Sequence, residues 1–393
     1  MKRILIDGRF IGVGESISRY TLELTKEILK NDLENQYTLL IRPAGQDQLK
    51  RYPEISAANN LKVVSLDIPH YSLAEQTKLL KFLNEEKFDL VHFTQFNHPI
   101  FYRGSFVVTI HDLTLVGHLH YHNFIKQFAF NTVMRSAVND SQKIISISKY
   151  TMDDIVDFFG TQKSKFAVIY HGLDHNKFNE SVRGDQKSIE KIKNDYKISG
   201  EYLLYVGAWK KHKNLPRMLK AYENFITSKS GIGPKLVMVG TKDVKEPEVL
   251  VEINRINDSL NSKFHSPAGE PNSIILTGPI DIRSDELPKI YAGALAYIIP
   301  SLSEGFGWPP LEAMACGTPV ISSKESCMPE ILGDAALYFD PYNVDEIEKS
   351  IGKIVDDQKI RIELSKKGLE HVKKYDLSET AKKTLEVYNN ILK

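Results

Sequence analysis

"RILIDGRFIGVGESISRYTLELTKEILK", residues 3–30, reads as a short apolar strand, a glycine-bearing loop and an amphipathic helix in direct succession. Tyr20, Leu24 and Ile28 fall on one helical face. Working outward, "YTLLIR", "LKVVSL", "FDLVHFT", "SFVVTIHD", "KIISIS" and "FAVIYHG" supply further strands of the first half, several of them separated by helix-like segments. Near-continuous apolar strands alternating with helices predict a parallel sheet covered on both faces. A second series, "YLLYVGA", "PKLVMVG", "SIILTGPI", "ALAYIIPS", "TPVISS" and "ALYFDP", repeats the architecture without repeating the sequence. The fold class expected is α/β, with two Rossmann-like, doubly wound domains facing across a cleft, where ligands sit at the carboxyl edges of the strands.

The expected boundaries are an N-terminal domain over 1–175, a linker over 176–199 and a C-terminal domain over 200–376. The linker stretch is polar, charged and without a strand. The last segment, about 377–393, reads as an amphipathic helix capped by Ser378 and packed back on the first domain. A length of 393 residues suits two such domains.

Composition excludes several classes of function. The formal net charge is +1, so no global field draws the protein to nucleic acid or to an acidic membrane. Cys316 and Cys327 cannot by themselves build a disulfide framework or a four-ligand zinc site. The apolar run of "MKRILIDGRF" is too short for a signal peptide, and no segment approaches the ~20 apolar residues of a spanning helix. The expected location is cytoplasmic, with peripheral contact at the inner face of a membrane left open.

Four constellations carry chemistry. The loop "DGRFIGVGESISRY" is a poor dinucleotide fingerprint: Gly12 and Gly14 fit, but the third glycine position is Ile17 and the next strand ends in Arg42 rather than an acid. It is either a structural turn or a loop that lets ligand approach backbone amides. "VVTIHDLTL" sets His111 and Asp112 just after a strand, suited to a sugar hydroxyl or to proton transfer, or simply to a buried pair. Nearby His118, His120 and His122 alternate, yet no carboxylate or thiolate cluster completes a metal site. "YVGAWKKHKNLPRMLKAY" crowds Lys210, Lys211, His212 and Lys213 before a helix start near Pro216. Cations there oppose the helix dipole unless an anion such as a diphosphate joins them. In "SEGFGWPPLEAMACGTP", 303–319, Pro309 and Pro310 suit a helix's first turn and Gly317 its end. Gly305, Phe306 and Gly307 precede that helix, and Glu304 and Glu312 flank its start as candidate acceptors of paired hydroxyls.

These motifs, in this order, resemble those of glycosyltransferase family 4, a family of retaining enzymes with two Rossmann-like domains in the B-type fold. The resemblance also takes in "IISISKYTMDDI", "VIYHGLDHNKF", "ILTGPI" and "GDAALYFDP". The variant "EGFGWPPLEAMACGTPV" is closest to a mannosyltransferase-like subgroup. By this resemblance Glu304 binds hydroxyls of the transferred sugar and Glu312 grips the nucleotide ribose. Lys213 stabilises the diphosphate and His111 contacts the donor sugar near the reacting carbon; His111, Glu304 and Lys213 are thus the catalytic set. Gly14, Gly207, Ile280, Gly305, Phe306, Gly307 and Leu311 complete the donor site. Ala208 stands where many members carry an arginine.

The resemblance implies a retaining hexosyltransferase that needs neither metal nor cofactor. Its co-substrate is a nucleotide sugar, GDP-mannose ahead of a UDP-hexose, and its acceptor is a hydroxyl of a glycan or lipid-linked saccharide. The acceptor would lie on the N-terminal domain, with Asp112 and Asn97 as candidate contacts. The competing readings are a nucleotide-sugar epimerase of the same fold and a non-catalytic nucleotide-sugar binder.

Overall fold

The computed structural model describes residues 1–13, 16–113, 124–240, 247–264, 274–281 and 284–393. The chain divides into two compact units, one of Met1–Gly172 with Tyr375–Lys393 and the other of Leu173–Lys374.

Among the described residues, the first unit is built on seven parallel strands: β1 (Arg3–Asp7), β2 (Gln36–Ile41), β3 (Leu61–Ser65), β4 (Leu90–Phe93), β5 (Phe106–Ile110), β6 (Lys143–Ser146) and β7 (Phe166–Val168). Their order across the sheet is 3-2-1-4-5-6-7. Ile4 pairs with Tyr37 on one side and with Leu90 on the other, so β1 lies at the centre. Every residue of β4 and β5 is buried, which is why these segments read as unbroken apolar runs rather than alternating ones. The second unit holds β8 (Tyr202–Val206), β9 (Lys235–Val239), β10 (Ile274–Gly278), β11 (Ala296–Ile299), β12 (Val320–Ser323) and β13 (Ala336–Phe339), in the order 10-9-8-11-12-13. Both sheets are doubly wound: the strand order reverses between β1 and β4, and again between β8 and β11. Loops leaving neighbouring strands in opposite directions open a crevice at each reversal, and ligands of such sheets bind there.

Glycine ends three adjacent strands of the second unit. Gly207, after β8, donates its amide to Val239 O at 2.9 Å, and Gly240, after β9, donates to Gly278 O at 3.0 Å. A Cβ at Gly240, where φ is +152°, would lie 2.0 Å from Gly207 O, so no larger residue fits this edge.

Two local expectations are corrected. The 176–199 stretch is no free linker: the helix Gln186–Asp195 forms within it, capped by Asp185, and packs on the helix Glu286–Gly293 of the second unit. Ile189 and Ile192, one helical turn apart, are the buried face hidden among its charges. The C-terminal helix, Leu377–Leu392, is capped by Asp376 rather than Ser378; Asp376 is extended and its carboxylate accepts the Glu379 amide at 3.1 Å. This helix packs on the first helix, Ser16–Asn31.

The C-terminal helix also completes a buried polar chain. The Tyr388 hydroxyl pairs with His92 Nδ1 at 2.5 Å, His92 Nε2 with Thr109 Oγ1 at 2.8 Å, and Thr109 Oγ1 with the Tyr20 hydroxyl at 2.9 Å. Burial, and then the nearby His111, push the His92 imidazole down to about 3, and burial pushes His98 down to about 4. Unfolded, both titrate near ~6.5. Their share of stability is therefore complete above about pH 6.5 and lost as pH falls toward the folded values, at about 1.4 kcal/mol per pH unit for each. The urea midpoint is expected to fall markedly between pH 7 and 4.5; equal midpoints would show that these imidazoles titrate normally.

Candidate active site

The second unit's reversal point carries the densest chemistry. Past Gly207 the chain makes a short 3-10 turn, Lys211–Lys213, and enters the helix Leu215–Ser228 through Asn214, which is left-handed at φ 56°. That turn is stitched to the loop leaving β11. Leu302 donates its amide to His212 O at 2.8 Å. Asn214 Nδ2 donates to Pro300 O at 3.1 Å and to Pro341 O at 2.7 Å. Asn214 can spare its side chain for this because Arg217 Nη1, at 2.9 Å, satisfies the remaining Oδ1.

The stitching brings Lys213 and Glu304 together across 91 residues of sequence. Lys213 Nζ donates to Glu304 Oε1 at 2.6 Å, and the Ser301 hydroxyl donates to the same oxygen at 2.6 Å. Glu304 Oε2 takes no hydrogen bond from the described residues, and the Glu304 amide donates to Ser326 Oγ at 3.1 Å. The Glu304 side chain is only 12% exposed and that of Lys213 20%. Burial alone would raise the Glu304 carboxyl. The Lys213 ammonium and its hydrogen bond, then the Ser301 hydroxyl and His212, outweigh burial and hold it below the ordinary glutamate value. The group is an anion at neutral pH, fixed on one oxygen and open on the other.

Gly307 sits at φ +93°, and a Cβ there would come within 2.6 Å of the Met328 Cε methyl. The helix after it, Trp308–Ala315, takes Pro309 and Pro310 in its first turn, as their missing amides allow. Those two positions have no amide hydrogen to donate. Phe306 is itself buried, and its carbonyl accepts from Cys327 Sγ at 3.5 Å.

Glu312 lies one turn farther on and is 1% exposed, its Oε2 accepting from the Tyr291 hydroxyl at 2.8 Å. Burial, and then the Glu312 charge, hold the Tyr291 phenol far above its usual range, so it stays protonated and donating. Leu311 is fully buried. Ile280, two residues past β10, is partly exposed. Gly14 lies outside the described residues, as do His118, His120 and His122. Among the described residues no group of three or more His, Cys, Asp or Glu is placed to hold a metal ion.

In the first unit, His111 follows β5 at the carboxyl edge. Its Nε2 pairs with Thr94 O at 2.9 Å, so Nε2 carries the proton and Nδ1 keeps its lone pair. Burial lowers the imidazole below its ordinary value, with Thr94 and Asp112 only partly opposing, so it is neutral at pH 7. The Tyr20 ring meets it edge-on at 5.0 Å, and His171 lies 5.5 Å away between ring centres. His111 is thus a fixed acceptor rather than a cation. Asp112 is half-buried. Asn97 is 1% exposed; its backbone carbonyl accepts from Arg9 Nη2 at 3.4 Å, and its side-chain Nδ2 and Oδ1 are buried without a hydrogen-bond partner among the described residues. Arg9 belongs to a buried cluster in which Asp7 takes its Nε at 2.9 Å and its Nη2 at 2.7 Å, and Glu75 takes its Nη1 at 3.1 Å.

Ser301, Asn214 and Tyr291 were not evident from sequence. Asn214 alone left a signal, an asparagine directly ahead of a Leu-Pro helix start; the others are polar residues whose partners lie far off in the chain.

Two Rossmann-like parallel sheets with these loops define the B-type glycosyltransferase fold. Two family models account for most of the chain: Glycosyltransferase Family 4 matches residues 17–177, and Glycosyl transferases group 1 matches residues 187–371. The chain belongs to glycosyltransferase family 4 and is a glycosyltransferase. It is 24% identical over 382 residues to the O-antigen chain mannosyltransferase B of Escherichia coli, covering 95% of each chain. It is 25% identical over 252 residues to the serotype-specific mannosyltransferase WbdA of Escherichia coli, covering 64% of this chain and 28% of that one. Among solved structures, HepE of Anabaena in complex with UDP and glucose superposes with a TM-score of 0.77 at 16% identity, over 99% of this chain and 100% of that one. No helix among the described residues is long and apolar enough to cross a membrane.

Proposed function

We propose that this glycosyltransferase moves a hexose, mannose ahead of glucose, from a nucleotide-diphosphate sugar to a hydroxyl of a glycan or lipid-linked saccharide, with retention of anomeric configuration. The observation that carries this reading is the Glu304 carboxylate, held on Oε1 by Lys213 and Ser301 with Oε2 open beside a glycine loop. An ionised acceptor next to a cation suits a sugar whose hydroxyls face the carboxylate and whose diphosphate faces the lysine. The mannosyltransferase relatives support mannose, hence GDP-mannose as donor.

In the reaction the bond from the anomeric carbon to the diphosphate oxygen breaks and its electron pair leaves with the nucleoside diphosphate. The acceptor oxygen bonds to the same face, and its proton passes to the departing phosphate. Lys213 and the amides of Gly305–Trp308 stabilise the charge growing on the leaving group, a kind of contribution worth about 3–4 kcal/mol per donor. His111 accepts from a sugar hydroxyl through Nδ1. Glu312 holds the ribose while sharing its carboxylate with Tyr291. Gly207 serves the phosphates and Ile280 the base. Lysine and amides take the place of a metal, and no further cofactor enters. The reaction is placed in the cytoplasm.

The test is a panel of nucleotide sugars offered with saccharide acceptors, scored by label transferred and diphosphate released, with and without EDTA. Transfer from GDP-mannose that survives EDTA is expected. Loss under EDTA that Mn²⁺ restores refutes the metal-free step. Conversion of free donor without transfer would instead mark an epimerase, and binding without turnover a non-catalytic binder.

A further inference from the structure

Resting on that reading, we propose that Ser301 is a positioning residue for transfer: its hydroxyl keeps Glu304 aimed at the sugar after Lys213 has turned to the diphosphate. Two donors share Glu304 Oε1, each at 2.6 Å, but they differ in mobility. Lys213 ends a flexible four-carbon stem and remains partly exposed. Ser301 is fully buried, has a single side-chain rotor, and sits between two pinned backbone groups. Pro300 O on one side accepts from Asn214, and the Leu302 amide on the other donates to His212.

An arriving diphosphate offers Lys213 more charge than one carboxylate does, so the ammonium is drawn to it. Glu304, nearly buried, then loses its counter-ion, and a buried anion without a partner is strongly disfavoured. The Ser301 hydroxyl is the protein donor that stays. By holding Oε1 it keeps the carboxylate ionised and leaves Oε2 facing the sugar. The serine acts through Glu304 and does not itself touch the reacting atoms.

The test is Ser301→Ala, a small change whose folding is verified by its melting temperature. The expected result is a kcat about tenfold lower, with nucleoside diphosphate affinity within about twofold of wild type, the loss of one charge-assisted hydrogen bond. The acid limb of the kcat profile is expected to move up by about half a pH unit or more, because a hydrogen bond to the charged form has been removed. In a double-variant cycle, Ser301→Ala is expected to add no loss in a Glu304→Gln background, since the group it orients is already gone. An unmoved acid limb, or losses that simply multiply, overturns the role. A wild-type protein that transfers no sugar from any donor sinks the transferase reading itself, whereas an active wild type with an unaffected Ser301→Ala variant sinks only the role of Ser301.

Discussion

Glu304→Gln is expected to lower transfer about a thousandfold while tightening the hold on nucleoside diphosphate, the scale of a single preorganised electrostatic group. The amide matches the carboxylate in shape but carries no charge, so it stabilises neither the sugar hydroxyls nor the positive charge that grows on the anomeric carbon. The binding half follows from the ion pair. Glu304 holds the Lys213 ammonium at 2.6 Å, and an incoming diphosphate must compete for it. With glutamine there, Lys213 is released and one anion facing the diphosphate is gone, so titration calorimetry should show affinity rising about tenfold, in line with coupling between close charges. Unchanged turnover would sink the role of Glu304, and unchanged or weaker diphosphate binding would sink the competition. In the wild type the same competition helps the product leave: a diphosphate stripped of its sugar has nothing to offer Glu304 in exchange for its lysine.

Lys213→Met should lower kcat/KM by about 10²–10³, a magnitude seen when one donor to a developing anion is lost. Here diphosphate affinity falls rather than rises, which separates the two variants. The pH profile supplies a second readout. Burial already pushes the Glu304 carboxyl up, and Lys213 is the main force holding it down. Without the lysine, the carboxyl titrates at higher pH and the acid limb moves up with it. A profile identical to wild type, or full activity, would show that the 2.6 Å contact is incidental.

The architecture was legible because buried parallel strands announce themselves as apolar runs; each quoted run contains one of the thirteen strands of the two sheets. The helix Gln186–Asp195 was not legible, since its buried face is two isoleucines among lysines and acids. Within the site, Glu304 and Lys213 stand in local motifs that a reader can find. Their pairing is not local: it depends on β8 and β11 becoming neighbours, which sheet order decides and sequence proximity does not. Leu311 shows the converse. A motif places it beside the glutamate, yet it is turned fully into the core. Asn97 likewise sits on a loop of suitable composition, but below its surface.

The polypeptide leaves the first unit after Gly172 and returns to it at Tyr375. The two crossings are close together within that unit: a Cβ on Gly172 would lie 2.3 Å from the Leu377 amide, and Thr380 Oγ1 donates to Tyr170 O at 2.9 Å. In topological terms residues 173–374 are an insertion between two segments of a parent domain, and the ends of those segments lie side by side. A parent from which the insertion is cut, with its two ends joined by a few residues, is expected to keep its seven-stranded sheet. Trimming the last helix is the harsher edit, because it strips Tyr388 from His92 and opens the parent's own core.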